Sequence, residues 1–222
     1  MIFENLAKIR NEISLAVSRS GRKPSDVKLV GVSKTKSLDK IRDAFELGLI
    51  DIGENYVEEF SKKYSEYKPE GLRYHFLGRL PTKKVRKIVG KVKLIHSVDS
   101  LKLAQKIDFV SFEEKVCQEI LIQVNQGSEL SKSGISKDSL ESLFSEVSNL
   151  KNIKIKGLMS IPPFSEPARP YFQELRRLRD SLEQSLGIDL PYLSMGMSGD
   201  FREAIEEGST HIRVGTAIFG QR

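Results

Sequence analysis

The 222 residues predict an α/β fold, a (β/α)8 barrel preceded by one extra helix, and three features lead there. Eight short β-rich runs alternate strictly with helical patterns, and every parallel crossover needs a covering helix. The turn after the first run lacks the GxGxxG that would mark an open doubly wound sheet. The length fits a single undivided barrel, and eight strands can close with no edge exposed.

An opening amphipathic helix over 1–22 carries Leu6, Ile9, Ile13, Ala16 and Val17 on one face and stops at Gly21 and Pro24. The barrel is expected to occupy 27–222, with strands at 28–33, 50–53, 73–78, 93–98, 119–125, 155–161, 192–195 and 211–215. Between them lie helical patterns: Leu38, Ile41, Ala44 and Phe45, closed by Gly48; Val57, Phe60 and Tyr64; Val85, Ile88 and Val89; Leu101, Ala104 and Ile107. Leu140, Leu143, Phe144 and Val147 mark the fifth, Phe172, Leu175, Leu178 and Leu182 the sixth, and Phe201, Ala204 and Ile205 the seventh. Ser37 is placed to cap the first barrel helix. The prolines from Pro162 to Pro170 read as one long loop after strand six.

Composition excludes several classes. Charges at Glu4, Lys8, Arg10 and Glu12 break any signal-peptide pattern, and no apolar run approaches membrane-spanning length. A cytoplasmic protein away from membranes is expected. Cys117 is the only cysteine, so no intrachain disulfide or CxxC metal knuckle can form, and a small buried apolar role is expected for it. The net charge of +6 weakly favours anionic ligands or nucleic acid, and clustering decides more than the total. Its densest cluster, Lys83, Lys84, Arg86, Lys87, Lys91 and Lys93, has no interleaved aromatic residues for base stacking. That reads as a solvated helix face, with no specific nucleic-acid site.

In such barrels chemistry gathers where strands end. Strand one ends in Ser33-Lys34-Thr35-Lys36. A lysine held at the end of a buried strand is desolvated, which favours the neutral amine that attacks aldehydes. Taken alone, Lys34 more often merely caps a strand and reaches into solvent. Lys36 competes with it; lying two residues further along, it is expected to be more solvated, and strand parity does not choose between them because both faces of a barrel strand are buried. Other strand ends carry Glu54, Asn55, Gly78, Arg79, Ser97, Asp99 and Asn125, with Ser160 inside strand six.

The last two turns, Ser194-Met195-Gly196-Met197-Ser198-Gly199-Asp200 and Arg213-Val214-Gly215-Thr216, combine glycines, hydroxyls and exposed backbone N–H groups, the first with a helix start immediately beyond it. Together they form the kind of cup that barrels use for phosphate. A phosphate cup with an imine-forming lysine points to a phosphorylated aldehyde, and pyridoxal 5′-phosphate is the obvious one. Arg213, a cation inside a strand, is a candidate partner for the pyridine nitrogen. His75 and His96 are expected to be hydrogen-bonded core residues, and His211 lies at the stability face.

The runs Val32-Ser33-Lys34-Thr35-Lys36, Gly53-Glu54-Asn55-Tyr56, His75-Phe76, His96-Ser97-Val98-Asp99, Lys132-Ser133-Gly134-Ile135, Gly157-Leu158-Met159, Ser194-Met195-Gly196-Met197-Ser198 and Arg213-Val214-Gly215-Thr216-Ala217-Ile218-Phe219-Gly220 resemble the pyridoxal-phosphate homeostasis protein family, in register along essentially the whole chain. The resemblance implies an alanine-racemase-type barrel in single-domain form. It implies that Lys34 forms the Schiff base, that Asn55 lies near the pyridine ring and Arg213 faces its nitrogen, and that Ser198, Gly215 and Thr216 hold phosphate. One stretch departs: where the family commonly reads Gly-Pro-Leu-Gln-(Ser/Thr)-Asn-Lys, this chain reads Gly78-Arg79-Leu80-Pro81-Thr82-Lys83-Lys84.

Related racemases need a second base from an additional β domain, and the sequence runs only to Arg222, just past strand eight. An arginine at the pyridine nitrogen also weakens the ring as an electron sink. The expected function is therefore a carrier or buffer in pyridoxal-phosphate homeostasis, monomeric, without catalytic or metal-ligating residues, and serving PLP-dependent apoenzymes. The alternatives are a PLP-dependent racemase or related enzyme of low activity, with His75 or a water as second base, and a Schiff-base aldolase.

Overall fold

The computed structural model describes residues 1–127, 133–163 and 166–221. Lys132 and Arg222, and part of the proline-rich loop after strand six, lie outside the described residues.

Eight parallel strands close into a barrel in sequence order: β1 (Lys28–Val32), β2 (Asp51–Glu54), β3 (Arg73–Phe76), β4 (Leu94–Val98), β5 (Gln118–Gln123), β6 (Ile153–Met159), β7 (Tyr192–Ser194) and β8 (His211–Val214). Closure is made by β8 against β1, with Val30 opposite Arg213 and Gly31 opposite Val214. The expected strands coincide with these within a few residues, several of them running one or two residues too far at the C-terminal end. The chain turns away there to build the open face.

Helix α1 (Ile2–Arg19) buries the five apolar residues its periodicity singles out, packing against the later helices α7 (Phe201–Glu206) and α8 (Thr216–Phe219). The crossovers are α2 (Leu38–Glu46), α3 (Val57–Glu66), α4 (Leu101–Glu113), α5 (Leu140–Ser148) and α6 (Arg169–Leu186). Among the described residues no helix is long and apolar enough to cross a membrane.

Three local expectations are corrected. The pattern Val85, Ile88, Val89 forms a 3-10 turn, Thr82–Lys87, rather than an α-helix. With Pro81 before it and Gly90 at φ +75° shortly after it, the segment is short enough for i→i+3 bonding, and Val85 within it and Ile88 and Val89 just beyond it are buried all the same. The short helix α8 has no counterpart among the expected elements, because four residues are too few to show a helical period. Cys117 is exposed, because it lies in the turn before β5, and burial resumes only at Gln118.

The basic run is largely neutralised across the surface. Glu58 of α3 pairs with Lys84 at 2.9 Å and Lys87 at 2.6 Å, while Arg86 meets Glu113 of α4 at 2.6 Å. These exposed pairs contribute little to stability and leave a mixed-charge face.

Apolar packing lies mainly between strands and helices. Inside the barrel, Leu94, Leu121 and Met159 form a small separate cluster, and polar side chains occupy much of the remaining interior. Asp51, at the start of β2, receives a fork from Arg73 Nε and Nη2 at 2.7 and 2.6 Å and lies 2.9 Å from His75 Nε2. His75 Nδ1 is 3.0 Å from His96 Nε2, and His96 Nδ1 is 2.8 Å from Ser194 Oγ. Since β4 and β7 are not neighbours, the last contact crosses the barrel. Both histidines therefore take the hydrogen-bonded core role expected of them. His211 completes a triangle of rings, with centroids 6.1 Å from His75 and 5.9 Å from His96.

Burial alone would raise the Asp51 carboxyl, but its hydrogen bonds to His75 and Arg73 outweigh burial and hold it at about 2. A carboxylate held below the ordinary value of about 4 contributes stability above that value and loses it as pH falls through the folded one. Acid unfolding followed by circular dichroism should therefore be less steep between about pH 4 and pH 2 in Asp51→Asn than in the wild type. Equal slopes would show that this carboxylate carries no acid-sensitive stability.

Candidate functional site

At the C-terminal ends of the strands is a cavity of about 340 Å³, within the range that holds small ligands. Lys34, Asn55, Ser198, Arg213, Gly215 and Thr216 all line it, with Val32, Leu77, Met159 and Ile161 among the apolar wall residues. A larger cleft of about 720 Å³ lies outside the barrel between α1, α2 and the C-terminal residues, and it gathers no comparable set of buried polar groups.

Lys34 leaves β1 half-buried, on a loop braced from below. The buried ammonium of Lys63 in α3 donates to the Ser33 carbonyl at 2.7 Å, to Glu54 Oε1 at 2.6 Å and to Glu59 Oε1 at 2.7 Å. Ser33 Oγ also donates to Glu54 Oε1, at 2.5 Å. Glu59 in turn accepts the Thr35 N–H at 2.6 Å. That bond helps hold Thr35 at φ +62°, a left-handed conformation uncommon for a β-branched residue, and so fixes the direction in which Lys34 leaves the strand. The sequence pattern places Glu54 at a strand end but does not single out Lys63; the Glu59–Lys63 spacing of four on a helix is the signal that could have found it. Lys36 is directed elsewhere, its Nζ donating to the carbonyls of Gly220 and Gln221 at 2.8 Å each.

Beside the end of β1, where β7 and β8 end, Gly215 N–H and Thr216 Oγ1 approach Ser198 Oγ at 3.3 and 3.5 Å. This brings the two glycine-rich turns together. Gly196, at φ +94°, would place a Cβ 2.5 Å from the Ala204 Cβ, so the turn before Ser198 requires glycine. Asp200 Oδ1 accepts the Met197 N–H at 2.5 Å and shapes the same turn.

Arg213 rises from β8 into the floor, only 5% exposed. It donates to Ser194 Oγ at 2.6 Å and to the Ser160 carbonyl at 2.8 Å. Burial lowers it to about 10, Asp200 pulling the other way, so it stays charged at neutral pH. Two buried oxygens nearby, Asn55 Oδ1 and Ser160 Oγ, have no hydrogen-bond partner among the described residues. Orphaned buried acceptors beside a cavity mark places where a ligand atom completes the bonding. A half-buried amine, a guanidinium, a hydroxyl–amide cup and these oxygens suit a compact anionic aldehyde with a polar ring.

The departing stretch keeps its glycine against the Asn55 backbone, with a Cβ at Gly78 falling 2.0 Å from the Asn55 carbonyl oxygen. Arg79, Pro81 and Lys83 are exposed and Leu80 is buried, so most of the altered side chains face outward. His75, the candidate second base, is not in the cavity wall; it is turned into the barrel between Asp51 and His96.

The alanine racemase N-terminal domain family matches residues 5–222. The chain is 46% identical to the pyridoxal phosphate homeostasis protein of Aquifex aeolicus (strain VF5), covering 99% of this chain and 97% of that protein. It is 37% identical to the protein of that name from Escherichia coli (strain K12), covering all of this chain and 97% of that one. Among solved structures, PipY of Synechococcus elongatus PCC7942 with PLP bound superposes with a TM-score of 0.88 at 35% identity, covering 99% of this chain and all of that one. An alanine racemase of Clostridium difficile 630 shares the fold at 16% identity, with a TM-score of 0.76 over 99% of this chain and 57% of the racemase.

Proposed function

Because this chain belongs to the pyridoxal phosphate homeostasis protein family, with an alanine-racemase-type barrel, we propose that it holds pyridoxal 5′-phosphate in the 340 Å³ cavity and serves as an intracellular carrier of it. The observation that carries this reading is the convergence of Lys34, Arg213 and the Ser198–Gly215–Thr216 cup on one cavity. The cofactor supplies an aldehyde, and the Lys34 amine is the group that takes it as a Schiff base. Ser198 and Thr216 hydroxyls and the Gly215 N–H bind phosphate, Asn55 lies beside the ring, and Arg213 donates toward the pyridine nitrogen. Residues 1–222 act as one cofactor-binding domain, and PLP-dependent apoenzymes in the cytoplasm are its recipients.

A carrier is favoured over a racemase by two features of this chain. The alternative second base, His75, is bonded away from the cavity. The charged guanidinium of Arg213 can only donate, which keeps a ring nitrogen facing it unprotonated and makes the ring a poor electron sink. The names of the curated relatives point the same way.

Purified protein mixed with pyridoxal phosphate should absorb in the visible, and borohydride reduction followed by peptide mass mapping should place the stable adduct on Lys34. Modification of Lys36 alone, or label scattered over surface lysines, would overturn the assignment. Exchange of an amino-acid α-proton at enzymatic rates would replace the carrier with the racemase.

A further inference from the structure

Arg213 is almost wholly buried, yet among the described residues it has no carboxylate within ion-pair distance. A guanidinium in that position needs its charge met by oriented dipoles. Those dipoles are provided by the chain of contacts that runs from Ser194 through His96 and His75 to Asp51, at 2.6, 2.8, 3.0 and 2.9 Å.

The two ends determine the direction of the whole column. Arginine can only donate and an ionised carboxylate can only accept. Asp51 is ionised across the neutral range, being held at about 2. His75 Nε2 must therefore carry the hydrogen facing Asp51, which leaves its Nδ1 bare to accept from His96 Nε2–H. His96 Nδ1 is then bare and accepts the hydroxyl hydrogen of Ser194, whose oxygen accepts from Arg213. Reversing any link sets two acceptors face to face or requires a buried imidazolium. Burial opposes the second, pushing His75 down and His96 well down. His211, whose ring packs on both, is also pushed well down by burial, and Arg73 and Lys28 add positive charge that disfavours protonating the rings.

We infer that Asp51, His75, His96 and Ser194 form a one-way hydrogen-bonded column through the barrel, and that they act as positioning residues holding Arg213 toward the cofactor ring. The column links the ionised Asp51 at the N-terminal end of the strands to the guanidinium at their C-terminal end, as a series of aligned dipoles. Two of Arg213's five N–H groups are spent on Ser194 and Ser160, which sets the plane in which the others face the cavity. The link from Arg213 to the ring rests on the function proposed above; the column itself does not.

The test is long-range ¹H–¹⁵N correlation of the imidazoles in the protein without added ligand. Both His75 and His96 should be neutral with the hydrogen on Nε2 at neutral pH; a doubly protonated or Nδ1–H His96 overturns the column. In Asp51→Asn, whose amide can donate as well as accept, the two tautomers should mix at both histidines, and an unchanged pattern would also overturn it. Pyridoxal phosphate is then titrated into Ser194→Ala and His96→Leu, and affinity should fall about tenfold in each, the scale of one charge-assisted hydrogen bond. Wild-type affinity in both variants overturns the positioning role. If the wild type takes up no pyridoxal phosphate, the functional reading fails while the imidazole spectra still decide the column.

Discussion

Replacing Lys63 with methionine lowers the melting temperature by about 10 °C at neutral pH, the consequence of stranding a buried carboxylate. Glu54 is fully buried and Lys63 nearly so, at 2.6 Å from each other. Removing one partner of such a pair costs about 3–5 kcal/mol, because the remaining charge keeps its desolvation penalty and loses its compensation. Desolvation already pushes the Glu54 carboxyl up, against the opposing effect of Lys63. A carboxyl raised on folding imposes no cost below its unfolded value and an increasing one as pH climbs through the folded value. Without Lys63 the carboxyl is raised further, so the variant's deficit should shrink in mildly acidic buffer, where Glu54 protonates. The double variant Glu54→Gln, Lys63→Met should recover much of the lost stability at neutral pH. Thermal melts at two pH values check both points; a pH-independent deficit would show that lost packing, and not the stranded charge, sets the cost. Because Lys63 also braces Ser33 and Glu59, the single variant should fix less pyridoxal phosphate on Lys34 after reduction.

The second large effect is expected at Gly78. A Cβ there would lie 2.0 Å from the Asn55 carbonyl oxygen and 2.7 Å from its carbon, and backbone cannot step aside as a flexible side chain does. Gly78→Ala therefore forces β2 and β3 apart just where Asn55 enters the cavity, at a cost of about 3 kcal/mol, the upper range for overpacking. Affinity for pyridoxal phosphate should fall with stability. Gly199→Ala serves as the stability control: it also lies in the cavity wall, but nothing is within 4 Å of its Cβ position, so its melting temperature should match the wild type. A Gly78→Ala protein with wild-type melting and binding would mean that the two backbones separate at little cost.

Hydrophobic periodicity makes most of the architecture legible in the amino-acid sequence. Leu6, Ile9, Ile13, Ala16 and Val17 are the buried residues of α1, and Phe201, Ala204 and Ile205 those of α7. Burial of a regular element is a local property of its spacing, so the linear pattern carries it. The cavity-lining residues are legible for a related reason. In a closed parallel barrel the C-terminal ends of all strands meet on one face, so naming the ends of strands one, two, seven and eight already names one neighbourhood.

What the linear pattern leaves undetermined is decided by contacts between elements far apart in the chain. Lys34 and Lys36 are two residues apart and indistinguishable by strand parity. They part because α3 sends Lys63 and Glu59 under Ser33 and Thr35, while the C-terminal carbonyls draw Lys36 away. Cys117 is exposed because it falls in a turn, where its type preference yields to position. The three histidines, each unremarkable in its own strand, become one polar core only when β3, β4 and β8 curve around a common axis. The amino-acid sequence by itself thus determined the repeated strand–helix unit and which residues reach the open face, because both follow from local periodicity and barrel closure. Which amine lines the cavity, and how a buried arginine is balanced, were decided by tertiary structure, because hydrogen bonds and charge compensation depend on ångström distances between residues that the sequence keeps far apart.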